Sequence, residues 1–161
     1  MNGTLNTLLP YICIIKQINM MNNTAAVTAF IDQLMASWNS HDKQLILSYY
    51  SDDYSGVESS EAGELYGRDS VARMLDKFFV GFPDLHISLI DFVQNGDRLA
   101  LYWKAEGRQT GPIINIPPTG KKVSIQGVSF LHINDGLITR GAHLWDMAGM
   151  LRDLGLLPRL S

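Results

Sequence analysis

The sequence is nearly without cysteine. One thiol, Cys13, stands among 161 residues. It can form no internal disulfide, and no Cys/His spacing resembles a zinc site. The expected compartment is therefore the cytoplasm. Basic runs are missing as well. The 13 Lys and Arg face 16 Asp and Glu, for a net charge of −3. Nothing here would neutralise a row of phosphates or hold an anionic bilayer, so neither nucleic acid nor membrane is expected as a partner. Long apolar runs are also absent. Leu8 to Ile18 is apolar but broken by Pro10 and Lys16, too short to span a bilayer. It lacks the basic lead-in and small-residue cleavage site of a secretory signal. Residues 1–20 are therefore read as an N-terminal extension or a mis-assigned start, and residues 21–161 as a single domain.

What is present fits one folded domain with a sizeable core: 46% of residues are hydrophobic and 18% charged, outside the range of disordered chains. Val27, Phe30, Ile31, Leu34 and Trp38 recur at helical spacing after a cap at Asn23 or Thr24. Asp42 can cap a second, shorter helix through Leu45, Ile46 and Tyr49. Ser51-Asp52-Asp53 reads as a turn, Tyr54 to Val57 as a short strand, and Ser59 to Glu64 as a polar loop. Asp69 or Ser70 opens a third helix with Val71, Met74, Leu75 and Phe78 on one side, ended by Gly81 and Pro83.

Beyond Pro83 the spacing changes to that of strands. Leu85–Gln94 and Arg98–Gly107 flank the hairpin signal Asn95-Gly96, and Lys122–Ile133 and Leu137–Trp145 flank Asn134-Asp135-Gly136. Between these pairs, Pro112 to Gly120 must be a loop, because Pro117-Pro118 cannot sit in a central strand. Its prolines favour a rigid turn over a lid. Met147–Leu154 is a closing helix with Gly155 as its stop. Helices first and a meander of strands after them predict an α+β fold, with helices on one face of a curved sheet.

Seven segments in order then carry a resemblance. They are Trp38-Asn39-Ser40-His41-Asp42, Tyr66-Gly67-Arg68, Phe82-Pro83-Asp84-Leu85-His86, Gly107-Arg108-Gln109-Thr110-Gly111, Ile116-Pro117-Pro118-Thr119-Gly120-Lys121, Asn134-Asp135-Gly136-Leu137-Ile138, and Trp145-Asp146-Met147-Ala148-Gly149-Met150-Leu151. Together they resemble the SnoaL-like polyketide cyclase (ester cyclase) family, of the superfold shared with ketosteroid isomerase and nuclear transport factor. The resemblance implies a cone-shaped α+β barrel, with N-terminal helices packed in a curved, mainly antiparallel sheet and a short C-terminal helix. It further implies a buried pocket for a small hydrophobic organic ligand, acid–base chemistry in an intramolecular aldol closure, no metal, no cofactor, and a homodimer through the outer sheet face. Fold and family do not fix the reaction, since this superfold hosts several chemistries.

An aldol closure needs a base beside the carbonyl and a donor for the enolate oxygen. If Asn134-Asp135-Gly136 is a three-residue turn, Ile133 pairs with Leu137, Gly127 lies opposite His143, Ser129 opposite Gly141 and Ile125 opposite Trp145. Alternation then puts His143, Trp145, Ser129 and Leu131 on one face, with Asp146, Arg140 and His132 on the other. A two-residue turn shifts the register by one and regroups the faces. His143 is the first catalytic candidate, with Gly127 and Gly141 leaving room for a ligand. Asp146 is the second, and it serves equally well as the cap of the closing helix. The family usually carries acids near both positions, whereas this chain keeps only Asp146; it commonly places a histidine near the position Ser129 occupies. His132, His41 and His86 read as structural or surface residues. Trp103, Trp145, Phe78, Tyr50, Tyr54 and Ser129 are the expected binding residues, with Tyr50 and Tyr54 as possible donors to an enolate oxygen. A cyclase or isomerase, a related hydrolase or dehydratase, a non-catalytic binder of the same pocket, and an interaction protein using the sheet face all fit this pattern.

Overall fold

A computed structural model describes residues 24–158. The N-terminal stretch 1–20 and Cys13 lie outside the described residues. Helix α1 (Thr24–Ser40) buries Val27, Ile31 and Leu34. It stops where His41 takes a left-handed φ of 57°. Asp42 then caps α2 (Lys43–Leu47) by accepting from Leu45 N at 3.0 Å. Strand β1 (Tyr50–Glu58) and the two-residue β2 (Leu65–Tyr66) precede α3 (Gly67–Gly81), which buries Val71, Met74 and Leu75. The long strands β3 (His86–Asn95), β4 (Arg98–Arg108), β5 (Lys122–Asn134) and β6 (Leu137–Trp145) follow, and α4 (Met147–Asp153) closes the chain.

The sheet order is β2-β1-β6-β5-β4-β3. All neighbours are antiparallel except β1 and β6, which run parallel. Among the described residues the sheet is mixed and does not close, with β2 and β3 at its edges. One apolar cluster joins α1, α2 and α3 to the inner face of the sheet through residues such as Ile31, Ile46, Leu75, Leu101 and Ile138. A second, smaller cluster holds α4 down, with Met150 and Leu154 packed among Phe82, Ile113 and Val123.

Two local expectations are corrected. Ser51-Asp52-Asp53 is no turn. It lies inside β1, where the register against β6 slips between Tyr50 and Ser55, and Arg68 Nε fills the gap by donating to Tyr50 O at 2.7 Å. The β5–β6 turn has two residues, Asp135 and Gly136, both at positive φ (50° and 77°), the backbone of a tight primed turn. Asn134 pairs with Leu137, and a bulge at Thr139 then adds a second residue of slip, so His132 faces Arg140 and Ser129 faces His143. One step from the turn and one from the bulge make two. With a side-chain period of two, the inward set keeps its face while every partner changes.

Candidate functional site

A cavity of about 110 Å³ lies between the two apolar clusters. Its walls are contributed by α1 (Met35, Trp38), α3 (Met74, Phe78), the inner face of β4 and β5 (Trp103, Ala105, Val123, Ile125), Ile113 of the 109–121 loop, and Met150 of α4. The aromatic walls are braced: the Phe78 and Trp145 rings meet edge-on with centroids 6.5 Å apart. Against this apolar lining stand Glu58, Ser129 and His143, with Glu106, exposed and paired with Lys104 Nζ at 2.9 Å, as a fourth polar residue on its border.

Glu58 is the last residue of β1 and only 4% exposed. The parallel pairing of β1 with β6 sets it beside His143, its register partner. Its carboxylate accepts from Trp145 Nε1 and from the Ser60 hydroxyl, and from Ser60 N at 2.9 Å. A carboxylate has about four accepting directions. The three donors leave one of these unused.

The second polar feature is a strip of side chains crossing four strands, β4, β5, β6 and β1. Trp103 Nε1 donates to Ser129 Oγ at 2.9 Å. Ser129 Oγ lies 2.8 Å from His143 Nδ1, and His143 Nε2 lies 3.3 Å from Tyr54 Oη. Glycines make the strip possible. A Cβ on Gly127 would sit 2.4 Å from the Trp103 ring, and one on Gly141 would sit 2.6 Å from Tyr54 Oη and 2.8 Å from His143 Nε2. The space expected for a ligand beside Gly127 and Gly141 is therefore taken by the indole, the phenol and the imidazole themselves.

Burial holds the His143 imidazole down to about 4 from its ordinary 6.5. The ring is thus neutral at neutral pH. Tyr54 is pushed up to about 12, by burial and then by the charge of Glu58, and burial raises Tyr50 further. Both phenols keep their protons. The imidazole has a consequence for stability. Because its folded value lies below the unfolded one, the unfolded chain binds the extra proton between about pH 6.5 and 4. Stability is then full above that window and falls as pH drops through it, with a slope of up to roughly 1.4 kcal/mol per pH unit. Urea unfolding across the window should show this slope in the wild type and its loss in His143→Asn. Parallel curves for the two proteins would contradict the neutral, buried ring.

The remaining expected residues divide. Trp103, Trp145, Phe78, Ser129 and His143 line the cavity. Tyr50 and Tyr54 stand behind it, 2% and 1% exposed, with their rings edge-on at 5.1 Å. Asp146 is elsewhere: it is exposed and accepts from Gly149 N at 2.7 Å, as the N-cap of α4. Glu58 was not anticipated. Tyr54, Gly56 and Glu58 alternate onto one face, so extending the expected strand by one residue would have included it. The 109–121 loop is braced from within by one side chain. The buried amide of Gln109 donates to Gly111 O at 2.8 Å and Pro117 O at 3.0 Å, and accepts from Thr119 N and Thr119 Oγ1. Among the described residues no group of three or more His, Cys, Asp or Glu is placed to hold a metal ion, and no helix is long and apolar enough to cross a membrane.

Comparison with known proteins agrees with this architecture. The sequence model described as SnoaL-like polyketide cyclase matches residues 28–154. No curated protein matches by sequence. Among solved structures, AclR from Streptomyces galilaeus is similar at a TM-score of 0.76 and 25% identity, over 86% of this chain and 91% of that one. TsrD from Streptomyces laurentii is similar at 0.74 and 25%, over 84% and 98%. TerC, co-crystallised with polyporic acid, shares the fold at 0.66 and 17%, over 80% and 97%.

Proposed function

The chain belongs to the SnoaL-like polyketide cyclase family, and from that membership we propose that its cavity performs cofactor-independent acid–base chemistry on a small hydrophobic carbonyl compound, of the cyclase or isomerase type. Glu58 is the observation that carries this reading: a buried carboxylate at the edge of an apolar cavity, with one accepting direction unused. Its free oxygen lone pair takes a proton from the carbon next to a carbonyl, the C–H electron pair forms a carbon–carbon double bond, and the carbonyl π pair moves onto oxygen to give the enolate. The proton then returns from Glu58 to carbon, or the enolate carbon attacks a second carbonyl of the same molecule and the alkoxide so formed takes the proton from Glu58. His143 acts as a neutral, polar group rather than as the base, because both ring nitrogens are already engaged, Nδ1 with Ser129 Oγ and Nε2 with Tyr54 Oη. Asp146, spent on the helix cap, has no part in this chemistry.

At about 110 Å³ the resting cavity is somewhat smaller than the roughly 150 Å³ that accommodates benzene, so a one-ring ligand requires its walls to give. Met35, Met74 and Met150 stand in the wall, and unbranched thioethers can repack around something larger. The co-crystallisation of TerC with polyporic acid supports an organic occupant for this fold. In D2O, without added metal or cofactor, the protein is expected to exchange the α-hydrogens of small aryl ketones for deuterium faster than buffer does. A carrier without turnover is the second reading, favoured by the three donors already placed on Glu58. Such a carrier would bind the ketones and exchange nothing.

The outer sheet face supports a homodimer. Val93, Ala100, Phe130, Ala142 and Val57 form one apolar row across five strands, with Tyr102, Val128 and Leu144 in the row beside it. Phe130 is 51% and Leu144 54% exposed, which is an unusual surface for a monomer. Light scattering at micromolar concentration should give a dimer that Phe130→Asp weakens at least about tenfold. A monomeric wild type would contradict it.

A further inference from the structure

The polar strip on the cavity wall has one more hydrogen than its internal links can use. With the imidazole neutral, Trp103 Nε1, Ser129 Oγ, the His143 ring and Tyr54 Oη each bring one hydrogen, and three links join these four groups. One hydrogen must point out of the strip, and its two ends are not equivalent. If His143 carries its proton on Nε2, Ser129 donates to Nδ1 and the surplus hydrogen is the phenolic one of Tyr54. That hydroxyl is buried, keeps its proton, and has no partner besides His143 among the described residues. A buried donor without an acceptor is unfavourable. If instead Tyr54 donates to Nε2, the proton sits on Nδ1. Ser129 Oγ then accepts from both Trp103 and His143, and the surplus hydrogen is its own, on a residue that lines the cavity.

We propose that Ser129 is the donor that binds the ligand's carbonyl oxygen, its two lone pairs filled by Trp103 and His143 and its hydrogen aimed into the cavity. Tyr54 and His143 are positioning residues that set the direction of the strip. In the proton transfer described above, which this role extends, the Ser129 hydrogen bond strengthens as charge moves from the α-carbon to the carbonyl oxygen. No proton leaves Ser129; Glu58 holds the one removed from carbon.

Two measurements test this. The first is 15N NMR of histidine-labelled protein near neutral pH, which is expected to show His143 protonated on Nδ1. A ring protonated on Nε2 overturns the proposal. The second compares acetophenone with α-methylstyrene, which has the same shape with C=CH2 in place of C=O. The ketone-to-alkene affinity ratio should fall roughly three- to tenfold in Ser129→Ala. In Tyr54→Phe, which removes the donor to Nε2, it should fall together with the Nδ1–H population, a coupling that a purely structural role for Tyr54 would not produce. An unchanged ratio in Ser129→Ala overturns the proposal, and if neither probe binds, the tautomer alone decides. Failure of the enzyme reading looks different: the tautomer and ratio stand while no α-hydrogen exchanges.

Discussion

Glu58→Gln is expected to lower α-hydrogen exchange by about 10²–10⁴-fold, the usual contribution of a positioned base, while ketone affinity changes little. The amide fits the same space and keeps an oxygen for one of the donors from Trp145 and Ser60. It has no basic lone pair to offer carbon. Rate and affinity therefore separate: the rate collapses and the dissociation constant does not. That split distinguishes a base from a residue that merely shapes the pocket, whose loss would raise the dissociation constant as well. Exchange followed by NMR in D2O gives the rate, and titration of acetophenone gives the affinity. A Glu58→Gln protein that exchanges at the wild-type rate would remove Glu58 from the mechanism.

Gly56→Ala is expected to destabilise the fold by about 1–3 kcal/mol, the range for overpacking a dense interior, lowering the melting temperature by roughly 3–10 °C in a domain of this size. Gly56 pairs with Gly141 where β1 and β6 run side by side. Its added methyl would stand 2.2 Å from Tyr54 Oη, 2.7 Å from Tyr54 Cζ and 2.6 Å from the Gly141 carbonyl oxygen. A backbone carbonyl within the sheet cannot retreat, and Tyr54 is packed against Tyr50. Adding Tyr54→Phe to Gly56→Ala removes the closest clash and should recover part of the loss, whereas the ring carbon keeps it from recovering all. Thermal unfolding of the three variants measures this coupling. A neutral Gly56→Ala would show that the two strands are further apart than described.

These two positions also mark the limit of what the sequence discloses. The stripe Val27, Ile31, Leu34 and the set Val71, Met74, Leu75 specify α1 and α3 by spacing alone, and paired turn signals specify the four long strands. The inward face of β6 follows from alternation. Its partners do not: the two-residue turn and the bulge at Thr139 each slip the register by one, and only the sum restores the face on which His143 lies. Period-two patterning is blind to a shift of two. Nor does alternation reveal that β1 pairs parallel to β6, a contact spanning most of the chain. That pairing alone sets Glu58 beside His143 and makes Gly56 and Gly141 neighbours. Asp146 illustrates the converse. An acid at a strand-to-helix junction reads equally as catalyst or cap, and the structure shows the cap, its oxygen accepting from Gly149 N.

Crystals grown with acetophenone test the central claim most directly. The ring is expected between Trp103 and Phe78, with the carbonyl oxygen within hydrogen-bond distance of Ser129 Oγ, roughly 2.7–3.0 Å, and the methyl carbon against the free side of the Glu58 carboxylate. A ketone bound with its oxygen turned toward Ile113 and Met150, away from both Ser129 and Glu58, would contradict it.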